Sequence, residues 1–340
     1  MENHISQRQH KVWIDWMKTI GMLTIIWGHC FPNGMSGFVY AFNVPVFFLI
    51  SGYLCHREES MRICFDKVCR NLLVPYFILC LIKVAGYVLK HLDDGQWAWS
   101  LLAIAGGFHQ LHDASGCNNL WFVYTLILLK LFYQAFITNR RRMVLTVCLS
   151  LAGALYYNYL KLDWMWAVTN TLLAYPFFIL GNSLSSDGAS VFEQWTARFS
   201  QWGYKLLLPL VLLLAFITFY TGSVNDAADM FQCQYGNYFP LFVIGALTGS
   251  LMVFLLSLML NTIDLRIVRI SSIGTIVTLC FHRELLHPIL KWISKQDLRI
   301  ITENLLMFLA SLAVLLTFVP LILLVKRFLP IVLGSRSKAS

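Results

Sequence analysis

Charge is scarce in this sequence. Asp, Glu, Lys and Arg make up 13% of its 340 residues, while 58% are hydrophobic and the mean hydropathy is +0.65. A soluble domain carries roughly a quarter of its residues as charges, so an ordinary water-soluble fold is excluded. Internal repeats, low-complexity tracts and polar stretches long enough for a soluble domain are all absent. Metal-ligand spacing is missing as well. The nine cysteines are scattered, mostly within apolar blocks, and read as small buried hydrophobes, so no metal is expected. Only Cys117 and Cys233 fall in loops on the expected outer side, where they can pair. A cleavable signal peptide is not evident, because the first apolar block carries Asp15 and Lys18 and runs directly into a second; we read it as retained.

What is present is a succession of apolar blocks of about 18 to 25 residues, the length that spans hydrocarbon as a helix. They predict an all-α integral membrane protein with a single domain over 1–340 and about ten transmembrane helices. These fall near 12–31, 37–55, 72–90, 120–137, 143–160, 166–184, 204–221, 238–260, 273–290 and 301–325. A charged amphipathic stretch, HREESMRICFDKVCR, is expected to lie on the membrane surface before the third helix. The formal charge of +9 does not point to nucleic acid, since the basic residues sit between apolar blocks on alternate sides. With the N-terminus in the cytoplasm, seventeen of the 26 Lys and Arg fall inside, six outside and three within spans. That asymmetry predicts both termini in the cytoplasm, in a multi-pass protein of a bacterial inner or plasma membrane.

The first helix holds the most informative residues. Eleven residues are almost three turns, so Lys18 and His29 project from nearly one face, with Asp15 a turn before Lys18. Ionisable side chains within a span are expensive and usually mark a site. The segment of about thirty residues from 91 to 119 is long for a connection, which suits a lid or binding loop.

In order along the chain, IDWMKTIGMLTIIWGH, AFNVPVFFLISGYL, KVCRNLLVPYF, LWFVYTLIL and SSIGTIVTLCFH resemble the membrane-bound acyltransferase-3 family. The resemblance covers essentially the whole chain. It implies a ten-helix protein that O-acylates glycans and other envelope molecules. The family's basic residue followed by ten residues and a histidine matches Lys18 and His29, with lysine in place of the commoner arginine. Its paired basic residues before the third helix match Lys67 and Arg70. Asn43 departs from the histidine or aspartate of many relatives.

The residues suit that chemistry in their own right. A neutral imidazole at His29 can take a hydroxyl proton near pH 7, with Lys18 and Asp15 completing the catalytic stripe. No serine or cysteine nucleophile motif is present, so direct attack of the acceptor hydroxyl on a thioester is the simpler route. The expected donor is acyl-coenzyme A, as a substrate and not a tightly bound cofactor, with acetyl the simplest acyl group. Its phosphates suit Lys67 and Arg70. Asn43, Trp121 and His282 are candidates for the acceptor pocket, and Trp97 and Trp99 for sugar stacking. Blander roles stand beside these: Lys18 snorkelling to the interface, Lys67 and Arg70 fixing topology, His282 as a structural histidine. The alternative function is a transporter or flippase in which Asp15, Lys18 and His29 form a relay.

Overall fold

The structure is a computed structural model that describes residues 11–89, 97–106, 117–160, 167–186, 196–199, 201–226, 228–296 and 298–334. Among them it is all-helical, with one isolated bridge between Asp229 and Gln234. The helices are α1 (Val12–Gly28), α2 (Ser36–Phe42), α3 (Pro45–Tyr53), α4 (Met61–Val68), α5 (Val74–Val88), α6 (Trp97–Gly106), α7 (Trp121–Phe136) and α8 (Arg140–Leu160). They continue as α9 (Val168–Ser186), α10 (Gly203–Asn225), α11 (Phe239–Met259), α12 (Arg266–Ile273), α13 (Thr275–Ile293) and α14 (Ile300–Phe328).

Among the described residues, seven runs are long and apolar enough to span a membrane: Ser36–Tyr53, Met61–Gly86, Asn118–Phe136, Arg140–Leu160, Gly203–Asn225, Phe239–Met259 and Ile300–Phe328. The other three expected spans, α1, α9 and α13, are helical but shorter or more polar. α1 has 17 residues and carries Asp15 and Lys18; α13 carries His282, Arg283, Glu284, His287 and Lys291. Both pack within the bundle, where a helix face need not be apolar to avoid lipid.

Two expectations change in detail. The second span is interrupted at Asn43 and Val44, because Pro45 has no N–H for the Ala41 carbonyl and its ring crowds that oxygen. The amphipathic segment before the third span is continuous with it. It forms α4, capped by Ser60 Oγ accepting from the Ile63 N–H at 3.3 Å, and runs on into α5. A π-helical turn at Cys69–Leu73 joins them. That wider turn comes immediately before Pro75, whose ring would otherwise press on the preceding turn.

α1 is the axis of the bundle. It packs against α2, α3, α11, α12, α13 and α14, and buries Trp13, Met17, Met22, Ile25 and Ile26. α3 and α9 cross at very close range. A Cβ on Gly52 would overlap the Phe178 carbonyl, and one on Gly181 would overlap the Leu49 carbonyl. α8 and α10 lie outermost, with Leu145, Leu149, Tyr156, Leu212 and Phe216 exposed as lipid-facing residues must be. Lys11 and Gly334, near the two ends of the described chain, line the same cavity.

Candidate active site

α1 ends at Gly28, and Phe31 turns the chain away with a left-handed φ of 51°. His29 therefore stands at the helix end, where its backbone N–H (3.2 Å) and its ring Nδ1 (2.8 Å) both reach the Ile25 carbonyl. The same Nδ1 lies 3.1 Å from Nε2 of His282, which is fully buried on α13. His282 Nδ1 is in turn 3.0 Å from the carbonyls of Thr278 and Leu279. The tautomers follow from these partners, since a carbonyl can only accept. His282 Nδ1 carries hydrogen and leaves its Nε2 as an acceptor. His29 Nδ1–H is then shared between Ile25 O and that acceptor, and His29 Nε2 keeps its lone pair. The second histidine orients and supports the first.

His29 lines a cavity of about 300 Å³ together with Tyr40, Asn43, Asn119, Trp121 and Arg283. Asn43 Oδ1 and Asn119 Nδ2 are both buried with no hydrogen-bond partner among the described residues. One acceptor and one donor are thus held ready in the same cavity as the imidazole, and an unpaired buried amide group is costly unless a bound molecule satisfies it. Asn43 reaches the cavity because the helix breaks beside it, with its side-chain nitrogen packed against Gly28. Asn119 belongs to a single 3-10 turn, Asn118–Leu120, that precedes α7. Trp121 forms a buried aromatic wall, 6.0 Å from the Phe231 ring and 6.4 Å from Phe48.

Residues 228–232 complete the wall, in a loop pinned by three asparagines. Asn170 Nδ2 donates to the Met230 and Phe231 carbonyls at 2.7 and 2.8 Å, and Asn158 Nδ2 to Cys233 O at 2.7 Å. Asn225 donates to Tyr235 O and accepts from the Tyr238 N–H. The segment expected as a lid contributes Asn118 and Asn119 here. Its residues 91–96 and 107–116, and the side chains of Trp97 and Trp99, lie outside the described residues.

The helix-1 stripe does not form one site. Asp15 and Lys18 line a different cavity, of about 450 Å³, at the opposite end of α1, with Lys11, Lys130 and Arg269. A neighbouring cavity of about 470 Å³ is lined by Arg57, Glu58 and Lys67 and shares Leu54, Asn71 and Lys130 with it. Lys67 is exposed and paired with Glu58. Arg70 is exposed, does not line either cavity, and donates from Nε to the Asp66 carbonyl at 3.4 Å.

Cys117 and Cys233 are not joined. Both side chains are buried, and Cys117 Sγ points at the Cys80 carbonyl, 3.7 Å away. Both lie in connections between helices, as expected, but buried: Cys117 packs into the helix core and Cys233 lies in the pinned loop. Among the described residues no cluster of His, Cys, Asp or Glu has the arrangement of a metal site.

Sequence reasoning missed Asn119, Tyr40 and Arg283 at the His29 end and Lys130 and Arg269 at the other. Lys130 did carry a signal, as a lone cation inside the run LILLKLF. Asn119 carried none.

A bundle of long apolar helices enclosing a histidine-lined cavity defines a multi-pass membrane protein. Residues 11–325 match the family model for an acyltransferase domain, the acyltransferase-3 family, and the chain belongs to that family. It is an acyltransferase. No curated protein and no solved structure matches the chain.

Proposed function

We propose that this acyltransferase moves an acyl group, acetyl in the simplest case, from acyl-coenzyme A to a hydroxyl of a cell-envelope glycan, with His29 as general base. The observation that carries this reading is the engaged His29 Nδ1, which leaves the Nε2 lone pair available in a cavity with unpaired amide groups. The acceptor oxygen attacks the thioester carbonyl while His29 Nε2 takes its proton. The carbonyl oxygen gains charge, and the Asn119 amide N–H is the donor available to meet it. The tetrahedral intermediate then collapses, the carbon–sulfur bond breaks, and the thiolate of coenzyme A recovers the proton. The products are an O-acyl ester and free thiol.

Asn43 Oδ1 suits a second hydroxyl of the acceptor, and Trp121 offers an aromatic wall for a sugar ring. His282 supports the imidazolium that forms on His29. Lys18 and Asp15 sit at the other end of α1, so we assign them to the charged end of the donor and not to proton transfer. Lys67 can join them once its pair with Glu58 is exchanged; Arg70 is the weaker candidate because it faces away. The asymmetric distribution of basic residues supports the Lys18 end facing the cytoplasm, where coenzyme A is made, and the His29 end facing the envelope. The relay of a transporter would need Asp15, Lys18 and His29 in one polar path, and they line separate cavities.

Release of thiol from acetyl-coenzyme A by the purified protein, with candidate glycans added in turn, tests the reading. His29→Ala should insert normally and lose transfer by about 10²-fold or more, the contribution of a positioned base. Full activity in a folded His29→Ala protein would sink the mechanism.

A further inference from the structure

The two cavities at the Lys18 end form one electropositive chamber. Their walls carry six cations, Lys11, Lys18, Arg57, Lys67, Lys130 and Arg269, against the carboxylates of Asp15 and Glu58. Lys130, on α7, is the one charged residue common to both walls. Arg269 opposes it from α12 and, although its terminal nitrogen pairs with Asp264, its buried Nε has no hydrogen-bond partner among the described residues. The side chains lining the walls are thus predominantly cationic, and a cavity lined in this way is a favourable place for an anion.

The chamber also adjoins the His29 cavity. Trp121 and Phe122 are consecutive on α7, yet Trp121 lines the His29 cavity and Phe122 the chamber. Val44 and Phe47, one turn apart, divide in the same way. The Phe47 and Phe122 rings meet edge-on with centroids 5.8 Å apart, and Phe47 rests on Gly21, where a Cβ would lie 2.9 Å from its ring. Phe47 and Phe122 thus stand on the chamber side of the elements whose Val44 and Trp121 line the His29 cavity. From Lys18 to His29 is about 16 Å along the helix at about 1.5 Å per residue, so a ligand bound in both places must be long, with its charge at one end.

We propose that Lys130 and Arg269 are the phosphate-binding residues of this chamber, holding the nucleotide end of the acyl donor while its arm passes the Phe47–Phe122 pair. The proposal rests on the acyl-coenzyme A reading above, and Lys130 takes the place that the sequence assigned to Arg70. The chemistry shared by possible occupants is a phosphate, from a nucleotide or from a lipid headgroup, and the number of cations lining the two walls favours the nucleotide with its several phosphates.

Binding of coenzyme A, adenosine 3′,5′-bisphosphate and short-chain phosphatidylglycerol would be measured calorimetrically on the full chain in phosphatidylcholine nanodiscs. Lys130→Gln and Arg269→Gln should each weaken binding of both nucleotides by about tenfold or more, as loss of a charge-assisted contact does. Lys130→Arg, which keeps the charge, should bind within about threefold of the parent protein. Nucleotide affinity unchanged in the monodisperse Gln variants overturns the assignment. So does a loss confined to phosphatidylglycerol, which would make the chamber a headgroup site. Lys130-dependent nucleotide binding in a protein that never consumes acetyl-coenzyme A keeps the chamber and refutes the donor reading instead.

Discussion

His282 separates an oriented base from a lone imidazole, so its removal is the most instructive perturbation. Its Nε2 accepts from His29 Nδ1–H at 3.1 Å and has no route to solvent, because the residue is completely buried. Before reaction that hydrogen bond joins two neutral rings, and a typical neutral bond contributes about 0.5–1.5 kcal/mol. When His29 takes the acceptor's proton, the same bond runs from an imidazolium, and bonds to charged groups contribute about 1.5–3 kcal/mol. The part gained only in the transition state is therefore on the order of 1–2 kcal/mol, or about five- to thirtyfold in rate. His282→Leu should lower kcat by that factor or somewhat more, since His29 also loses one of the two contacts that fix its ring. KM for the donor should hardly move, because the phosphate chamber lies at the other end of α1. His282→Gln offers a carbonyl oxygen in place of Nε2 and should recover part of the loss. The assay is steady-state thiol release at saturating donor, with each variant matched for membrane expression and monodispersity. A folded His282→Leu enzyme with full kcat would refute the supporting role. A loss as deep as that of His29→Ala would show that His282 does more than orient.

Two further outcomes follow from packing and unpaired groups. Asn119→Leu removes the amide donor from the His29 cavity, and kcat should fall by about 10²-fold, the usual effect of losing one oxyanion donor; Asn43→Leu should instead raise KM for the acceptor, and the reverse pattern would exchange their roles. Gly181→Ala puts a methyl against the Leu49 carbonyl where α3 crosses α9. It should destabilise the protein by at least about 1–3 kcal/mol, read as a lower thermal midpoint in detergent, and an unchanged midpoint would mean the crossing is looser than described.

Sequence and structure divide the remaining credit along physical lines. The membrane class was legible from composition because bilayer thickness sets a length and polarity that apolar blocks either meet or do not. His29 was legible for a related reason: an ionisable group in a span is expensive enough to need a cause. The same rule marked Lys18 and even Lys130, but not what each would face. Periodicity on α1 points to one side for Lys18 and His29, which the structure places in separate cavities. A helix face is only half of a cavity, however, and the other halves come from α3, α7, α12 and α13, far away in sequence. Those partners place His29 against His282 across 253 positions and leave Lys18 with Lys130 and Arg269. Likewise the break at Asn43 could be anticipated from Pro45, but not that it would aim an unpaired amide beside His29. Local sequence determined the helices and marked the ionisable residues among them; only the packing of distant helices decided which of those residues share a cavity, because that depends on contacts no local pattern records.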